Sequence, residues 1–483
     1  MSTVSEPAGV GLVEPSQTTG LRGHMGVLEL VFTVVAYNGP VVVFLGFIPV
    51  AILLGNGAGT PVAILAAGVV VTLLAVGLVN MAMRLDRPGG FYALITAGLG
   101  RITGLGAGFT ALTCYFVALI SVYALGGIAL DTAVQSVFNG PHVTWWVYAF
   151  AMLVGAAALG YFNINFSAKA LTVLLGCELV LMAAYDISVL VRGGANGIGF
   201  ESFSPDQITS GSVSIAFLFA VGLFGGFEAT VIFRDEVRNP QRTIPRATYG
   251  VIALLAGMYA LTAWCFVNSY GAAAVMDAVT TNLTGAAPDS VKEYTGTFAY
   301  DVATIMLFTS SFALVIAAHN ITARYLFNLA GDGIFPRALG EAHPRHVSPH
   351  RASLTLSVLS ALTIGVIIAV KMDELTMYAR FAGLYSYAFL MLLVLVSLAV
   401  GVYLLRDSEK PAVAKAVAAF ISCGAFLVGL FLATKNFDLL TGATGGGKFL
   451  LLVVIWGISA AGLVTAIILR TLRPDVYARI GRQ

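Results

Sequence analysis

FAVGLFGGFEATVIFRDEVRNPQRTIPRA, residues 219–247, decides the fold. An apolar run is broken by Gly222, Gly225 and Gly226, meets the carboxylic acid Glu228 two residues later, and ends in a burst of arginine and proline. A run of this kind crosses a bilayer as a helix, because hydrocarbon offers no partner to a bare backbone N–H or C=O. Glycines at its middle favour irregular backbone there. An ionised carboxylate at that depth costs at least about 2.5–3.5 kcal/mol, so Glu228 must be neutral, paired or turned to a polar cavity.

The rest of the chain agrees with a membrane solvent. Of 483 residues, 58 % are hydrophobic and 10 % charged, far from the ~45–50 % and ~25 % of soluble domains. Apolar windows fall at about 26–54, 60–83, 103–137, 144–161, 169–191, 211–234, 246–270, 297–323, 352–371, 376–405, 411–433 and 448–471, each near the ~20 residues that a transmembrane helix needs. They are continuous and rich in Leu, Ala and Val instead of alternating at period two, which predicts an all-α integral membrane protein of about twelve helices and excludes a barrel. With the amino terminus in the cytoplasm, only Arg192, Lys292, Lys371, Arg380, Lys435 and Lys448 of the 26 basic residues fall outside. The positive-inside rule therefore predicts a multi-pass protein of the cell membrane with both termini cytoplasmic. The first ~20 residues lack a basic segment followed by an apolar core, which predicts a polar tail and no cleaved signal.

A second window carries a matching interruption. VFTVVAYNGPVVVF, residues 31–44, places Asn38, Gly39 and Pro40 near the middle of the first span. Spans one and six correspond if spans 1–5 and 6–10 form two halves, and an odd number of spans per half inverts the second. The expected organisation is a tail at 1–25, a first repeat at 26–191, a second at 211–405, two further helices at 411–471 and a tail at 472–483. Paired Gly/Pro interruptions of this kind point to a transporter site near the bilayer midplane.

The segment after span six narrows the reading. Gly226, Phe227 and Glu228, followed by Glu236, Asn239, Pro240, Arg242, Ile244, Pro245, Arg246 and Ala247, resemble the signature of the amino acid–polyamine–organocation (APC) transporter superfamily. RPGGFYALITAGLGRITGLGAG at 87–108 and ARYLFNLAGDGIFPRALGEAHPRHVSPHRA at 323–352 resemble that family's loops before span three and after span eight. The resemblance covers roughly residues 25–405 and implies a five-plus-five inverted repeat with broken spans 1 and 6. It implies a permease for an amino acid or an organic amine, not an enzyme, working by alternating access. The Arg- and Pro-rich loops at 234–246 and 323–351 would be hinges and clamps at the inner mouth. Family members commonly carry a small Gly-Ser/Ala-Gly stretch in the first break, whose amides bind a substrate carboxylate. Tyr37-Asn38-Gly39-Pro40 stands here instead, and Pro40 deletes one of those donors.

The candidate site follows from the backbone chemistry of half-helices. Free N–H groups near 39–43 attract an anion, and free C=O groups near 34–37 and 221–224 attract a cation. Tyr37, Asn38, Gly39, Phe224, Gly225 and Gly226 are the expected substrate-binding residues, with the Tyr37 and Phe224 rings closing over the solute. Glu228, and Glu178 about nine residues into span five, are the expected proton-coupling or gating acids. Some relatives place a proton-coupling lysine near the latter point, where this chain has an acid. Ser310 and Ser311 are hydroxyls for the alternative, a sodium site. Tyr385, with Tyr387 beside it, is a candidate outer gate.

Other features carry less. Cys114, Cys177, Cys265 and Cys423 sit singly in apolar segments, and His343, His346 and His350 lack paired ligand spacing, so no metal or cofactor is expected beyond a coupling proton. Gly442 to Lys448 imitates a phosphate loop, but Phe449 replaces the hydroxyl that binds magnesium. The basic loops orient the chain in the lipid bilayer and are not nucleic-acid patches. A receptor for the same ligands is a second class, though such a receptor usually carries an appended signalling domain. Symport against exchange, and the oligomeric state, stay open.

Overall fold

The computed structural model describes residues 25–36, 38–85, 90–162, 168–346, 348–406, 410–442 and 445–481. The helices that build the bundle are α1 (Val27–Ala36), α2 (Pro40–Leu54), α3 (Thr60–Ala82), α4 (Phe91–Leu99), α5 (Arg101–Ser136), α6 (Trp145–Tyr161), α7 (Ala168–Arg192), α8 (Val213–Gly222) and α9 (Ala229–Ile232). They continue with α10 (Pro240–Tyr270), α11 (Thr297–Gly331), α12 (His350–Ala369), α13 (Glu374–Leu405), α14 (Lys410–Lys435) and α15 (Gly446–Leu472). Among the described residues nine helices are long and apolar enough to cross a membrane, and the bent pair α1 and α2 makes a tenth. The shorter apolar helices α6 and α8 stand at the fourth and sixth predicted windows.

Helix α5 is the central post, packed along α11, α13 and α15, while α3 packs on α10 and α14. Close crossings rely on small residues. A Cβ on Gly462 of α15 would stand 2.8 Å from the Gly106 backbone of α5, so the two helices meet main chain to main chain. The outer side of α15 leaves Leu450, Val453, Val464 and Ile467 exposed, the surface a lipid-facing helix presents. At its own start, α13 is capped by the Asp373 side chain, which accepts from the Thr376 N–H at 3.0 Å.

The predicted windows and the helices differ mostly at the membrane faces. Helix α10 begins at Pro240 rather than near 246, so half of the expected 234–246 loop is helical. Helix α11 runs to Gly331, past the expected end near 323. The loop before span three contains α4. Hydropathy falls where charges begin, but a helix with Pro at its first turn continues into water without penalty.

Candidate functional site

Both interruptions are real breaks in the helical ladder. After α1 the Asn38 N–H reaches back only to Val35 (2.9 Å), and Gly39 takes a left-handed conformation, φ 63° and ψ 70°, that a side chain disfavours. Pro40 then opens α2 at a position where its missing N–H costs nothing. Within α2, Val43–Phe47 widens into a π-helix just before Pro49, which has no N–H for the ladder. After α8, residues 223–228 follow a chain of tight turns: Phe224 N–H to Val221 (3.1 Å), Gly225 to Gly222 (3.2 Å) and Phe227 to Phe224 (3.2 Å). Gly226, at φ 96°, turns the chain towards α9.

The two breaks meet. The Asn38 side-chain amide donates to the Leu223 carbonyl (2.8 Å) and the Gly225 carbonyl (3.1 Å), and its oxygen accepts from the Tyr259 hydroxyl of α10. The Tyr385 hydroxyl of α13 donates to the Gly222 carbonyl at 3.1 Å. Carbonyls along the unwound turn of the sixth span are thus met by side-chain donors: Leu223 and Gly225 by Asn38, and Gly222, which also takes the Gly225 N–H, by Tyr385 of α13. Gly39 lies tight against α11, where a Cβ would stand 2.8 Å from Leu314 and 3.2 Å from the Ser310 hydroxyl. Phe224 is fully buried, with the far end of its ring 3.3 Å from where a Cβ on Gly68 of α3 would stand. Tyr37 lies outside the described residues.

Three acids are buried in the bundle, one of them at this junction. Glu228 accepts from the Tyr115 hydroxyl of α5 with one oxygen and from the Gly226 N–H with the other, both at 3.0 Å. It therefore ties the broken turn to the central post. Glu178 of α7 is buried, only 2 % exposed. The sequence reading missed the third, Asp186, which accepts from Thr262 of α10 at 2.9 Å while its other oxygen is buried without a partner. Its signal was available as a carboxylate inside the fifth window. Tyr115, Tyr259 and Thr262 gave no such signal, since hydroxyls are common in apolar helices. Among the described residues none of the three acids is paired with Lys, Arg or His. The Ser311 hydroxyl is buried without a partner. Tyr387 bonds Thr434 (2.7 Å) and Trp456 (3.0 Å), on the side of α14 and α15.

The ends of the broken spans are also joined at the face where α1 begins. Met25 and Val237 form a short bridge, Met25 N–H to Glu236 at 3.1 Å and Arg238 N–H to Met25 at 3.3 Å. Arg234 donates to the carbonyls of Ala82 (3.0 Å) and Leu85, capping the end of α3. Half of the expected 234–246 loop thus acts as a strap between the first, second and sixth spans.

Comparison with known proteins places this architecture. The model of the amino acid permease family matches residues 32–434. The low-affinity putrescine importer PlaP of Escherichia coli (strain K12) is 22 % identical over 388 residues, 78 % of this chain and 81 % of that protein. Cationic amino acid transporter 5 of Arabidopsis thaliana is 25 % identical over 281 residues, 57 % of this chain and 46 % of that protein. The aromatic amino acid permease FywP of Lactococcus lactis subsp. cremoris (strain MG1363) is 24 % identical over 258 residues, 48 % and 53 %. The family match runs through both breaks and most of the helices, and the chain is a member of the amino acid permease family.

Proposed function

We propose that this chain is a secondary transporter that carries an amino acid or organic amine through the cell membrane by alternating access, with a proton as the coupling ion and both termini in the cytoplasm. The observation that carries the proposal is the Asn38 junction. Two unwound turns meet inside the bundle, and the polar groups they release are held by side chains that can be exchanged for a solute. A substrate ammonium takes the place of the Asn38 amide on the Leu223 and Gly225 carbonyls. The exchange is favourable because hydrogen bonds to charged groups contribute about 1.5–3 kcal/mol, against about 0.5–1.5 kcal/mol for neutral ones. Releasing Asn38 unties the first broken span from the sixth, so occupancy is coupled to movement of the two. Glu228, held between Gly226 and Tyr115, is placed to gain and lose the coupling proton as that turn moves.

The family match and the names of the three relatives, a putrescine importer, a cationic amino acid transporter and an aromatic amino acid permease, support this class of solute. One observation favours the sodium alternative, the unpartnered Ser311 hydroxyl beside Ser310. Purified protein in proteoliposomes separates the readings. Uptake of a labelled amine or amino acid should rise with an inward proton gradient and persist when sodium is replaced by choline. Uptake that follows sodium and ignores the proton gradient would assign the coupling to sodium instead.

A further inference from the structure

We infer that residues 343–350, which join α11 to α12 on the face where the first span begins, form a proton-operated clasp that opens when that face is acidified and then slows uptake. The brake rests on the transport reading; the clasp itself does not. The observation that carries it is a histidine used as a hydrogen-bond acceptor. His343 Nδ1 takes the backbone N–H groups of both Arg345 and His346, each at 3.2 Å. A neutral imidazole has one acceptor nitrogen and one donor, so the proton sits on Nε2, which donates to the Tyr161 hydroxyl at 3.3 Å. A second proton would put an N–H where two N–H groups already point, and the turn would lose both bonds.

The neighbours enlarge the effect. The His343 ring lies 4.7 Å from His346 and 5.0 Å from His350, centre to centre, and Tyr161 at the end of α6 packs on the same three rings at 5.3, 6.1 and 6.1 Å. Arg345 adds a positive charge within the turn, while the Glu341 carboxylate is taken by Arg351 at 2.6 Å. From α6 come only the uncharged rings of Tyr161 and Phe162. From α11, His319 meets α12 at Ser353 (2.8 Å), one turn past His350. Partial burial, and then His346, His350 and Arg345, lower the His343 pKa from the ordinary imidazole value of about 6.5. The closed turn therefore has its full stability above that value and loses it as the pH falls below.

The turn fastens two helices. Ser348 Oγ donates to the Tyr161 carbonyl at 2.7 Å, and the His343 N–H donates to the Ser348 carbonyl at 2.8 Å, so the end of α6 is tied to the start of α12. Both helices pack on α11, the helix that lies tight against Gly39. Opening the clasp thus loosens the wall against which the first break rests. In the transport reading the coupling proton is released on this face, so the clasp responds to the acid that transport itself delivers.

Hydrogen exchange of the purified full-length protein at pH 7.5 and 5.5, corrected for the intrinsic effect of pH on exchange, tests the clasp. Wild type should lose protection at least five-fold at 343–350 and at 158–162 at the lower pH. His343→Asn keeps a short-reach acceptor for the two N–H groups but cannot take up a proton, and should stay protected at both pH values. His343→Ala lacks the acceptor and should be open at both. In proteoliposomes held at one fixed proton gradient, the ratio of wild-type uptake to His343→Asn uptake should fall at least two-fold as the internal pH is lowered from 7.5 to 5.8. Wild-type protection that does not change with pH, His343→Asn opening as wild type does, or an uptake ratio that stays constant would each overturn the inference and leave the transport reading intact. Absence of uptake by both proteins at every pH would count against the transport reading, and the brake would fall with it while exchange still decides the clasp.

Discussion

Asn38 and Leu223 lie 185 positions apart in the chain and are joined by a 2.8 Å hydrogen bond from the Asn38 amide to the Leu223 carbonyl. The same nitrogen reaches Gly225 at 3.1 Å. One side chain thus closes both interruptions at once, which makes it the natural competitor of a bound ammonium.

Replacing Asn38 by alanine leaves the two carbonyls and the Tyr259 hydroxyl without these partners, at a cost of about 1–3 kcal/mol for each buried group left unmet. Uptake in proteoliposomes should fall at least ten-fold, while amine binding to the purified protein persists because its competitor is gone. Asn38→Asp should be worse than alanine in both measurements. It loses the donors and turns an acceptor towards two carbonyl dipoles.

Glu228 uses both oxygens as acceptors, for Tyr115 and for Gly226. Glutamine has one acceptor oxygen, so Glu228→Gln leaves one donor unmet and removes the titrating group. Wild-type uptake should rise as the external medium is acidified, and Glu228→Gln uptake should be flat with pH. Tyr115→Phe should lower the rate but retain the pH dependence, since the acid is still present. A wild-type pH profile in Glu228→Gln would assign the proton to another acid.

Gly225 and Gly226 fail for different reasons when a methyl group is added. A Cβ on Gly225 collides with the Tyr385 hydroxyl, whereas one on Gly226 meets no atom within 4 Å but must hold φ 96°. Gly225→Ala should therefore be destabilised, and adding Tyr385→Phe should recover part of the loss. Gly226→Ala should cost about 1–2 kcal/mol from backbone strain alone and show no such recovery. Thermal unfolding of the purified single and double variants reads both outcomes.

Arg234 clasps the end of α3 through the Ala82 and Leu85 carbonyls. Arg234→Gln should free that end, raising amide hydrogen exchange at 82–85 and at 233–238 and slowing uptake. Exchange unchanged from wild type would mean that the strap carries no closing role.

The membrane class and the two breaks were legible because both are written in local composition. Continuous apolar windows force helices, and the Gly/Pro interruptions at 38–40 and 222–226 gather disfavoured residues near the middle of two corresponding spans. The partners were not legible. Nothing local says that the Asn38 amide crosses to Leu223 or that Tyr115 and not a cation meets Glu228, because each contact joins distant spans. Asp186 was readable and passed over, lying close to the carboxyl-terminal end of its window. Helix ends such as Pro240 and Gly331 escaped a hydropathy reading since they stand beyond the hydrocarbon.

The claim that a solute takes the place of Asn38 is tested most directly by the structure of the protein bound to the amine that stabilises it most. The account predicts ligand density with its nitrogen within hydrogen-bond distance of the Leu223 and Gly225 carbonyls and the Asn38 side chain turned away from both. Ligand held elsewhere, with the Asn38 bonds to Leu223 and Gly225 intact, would contradict it.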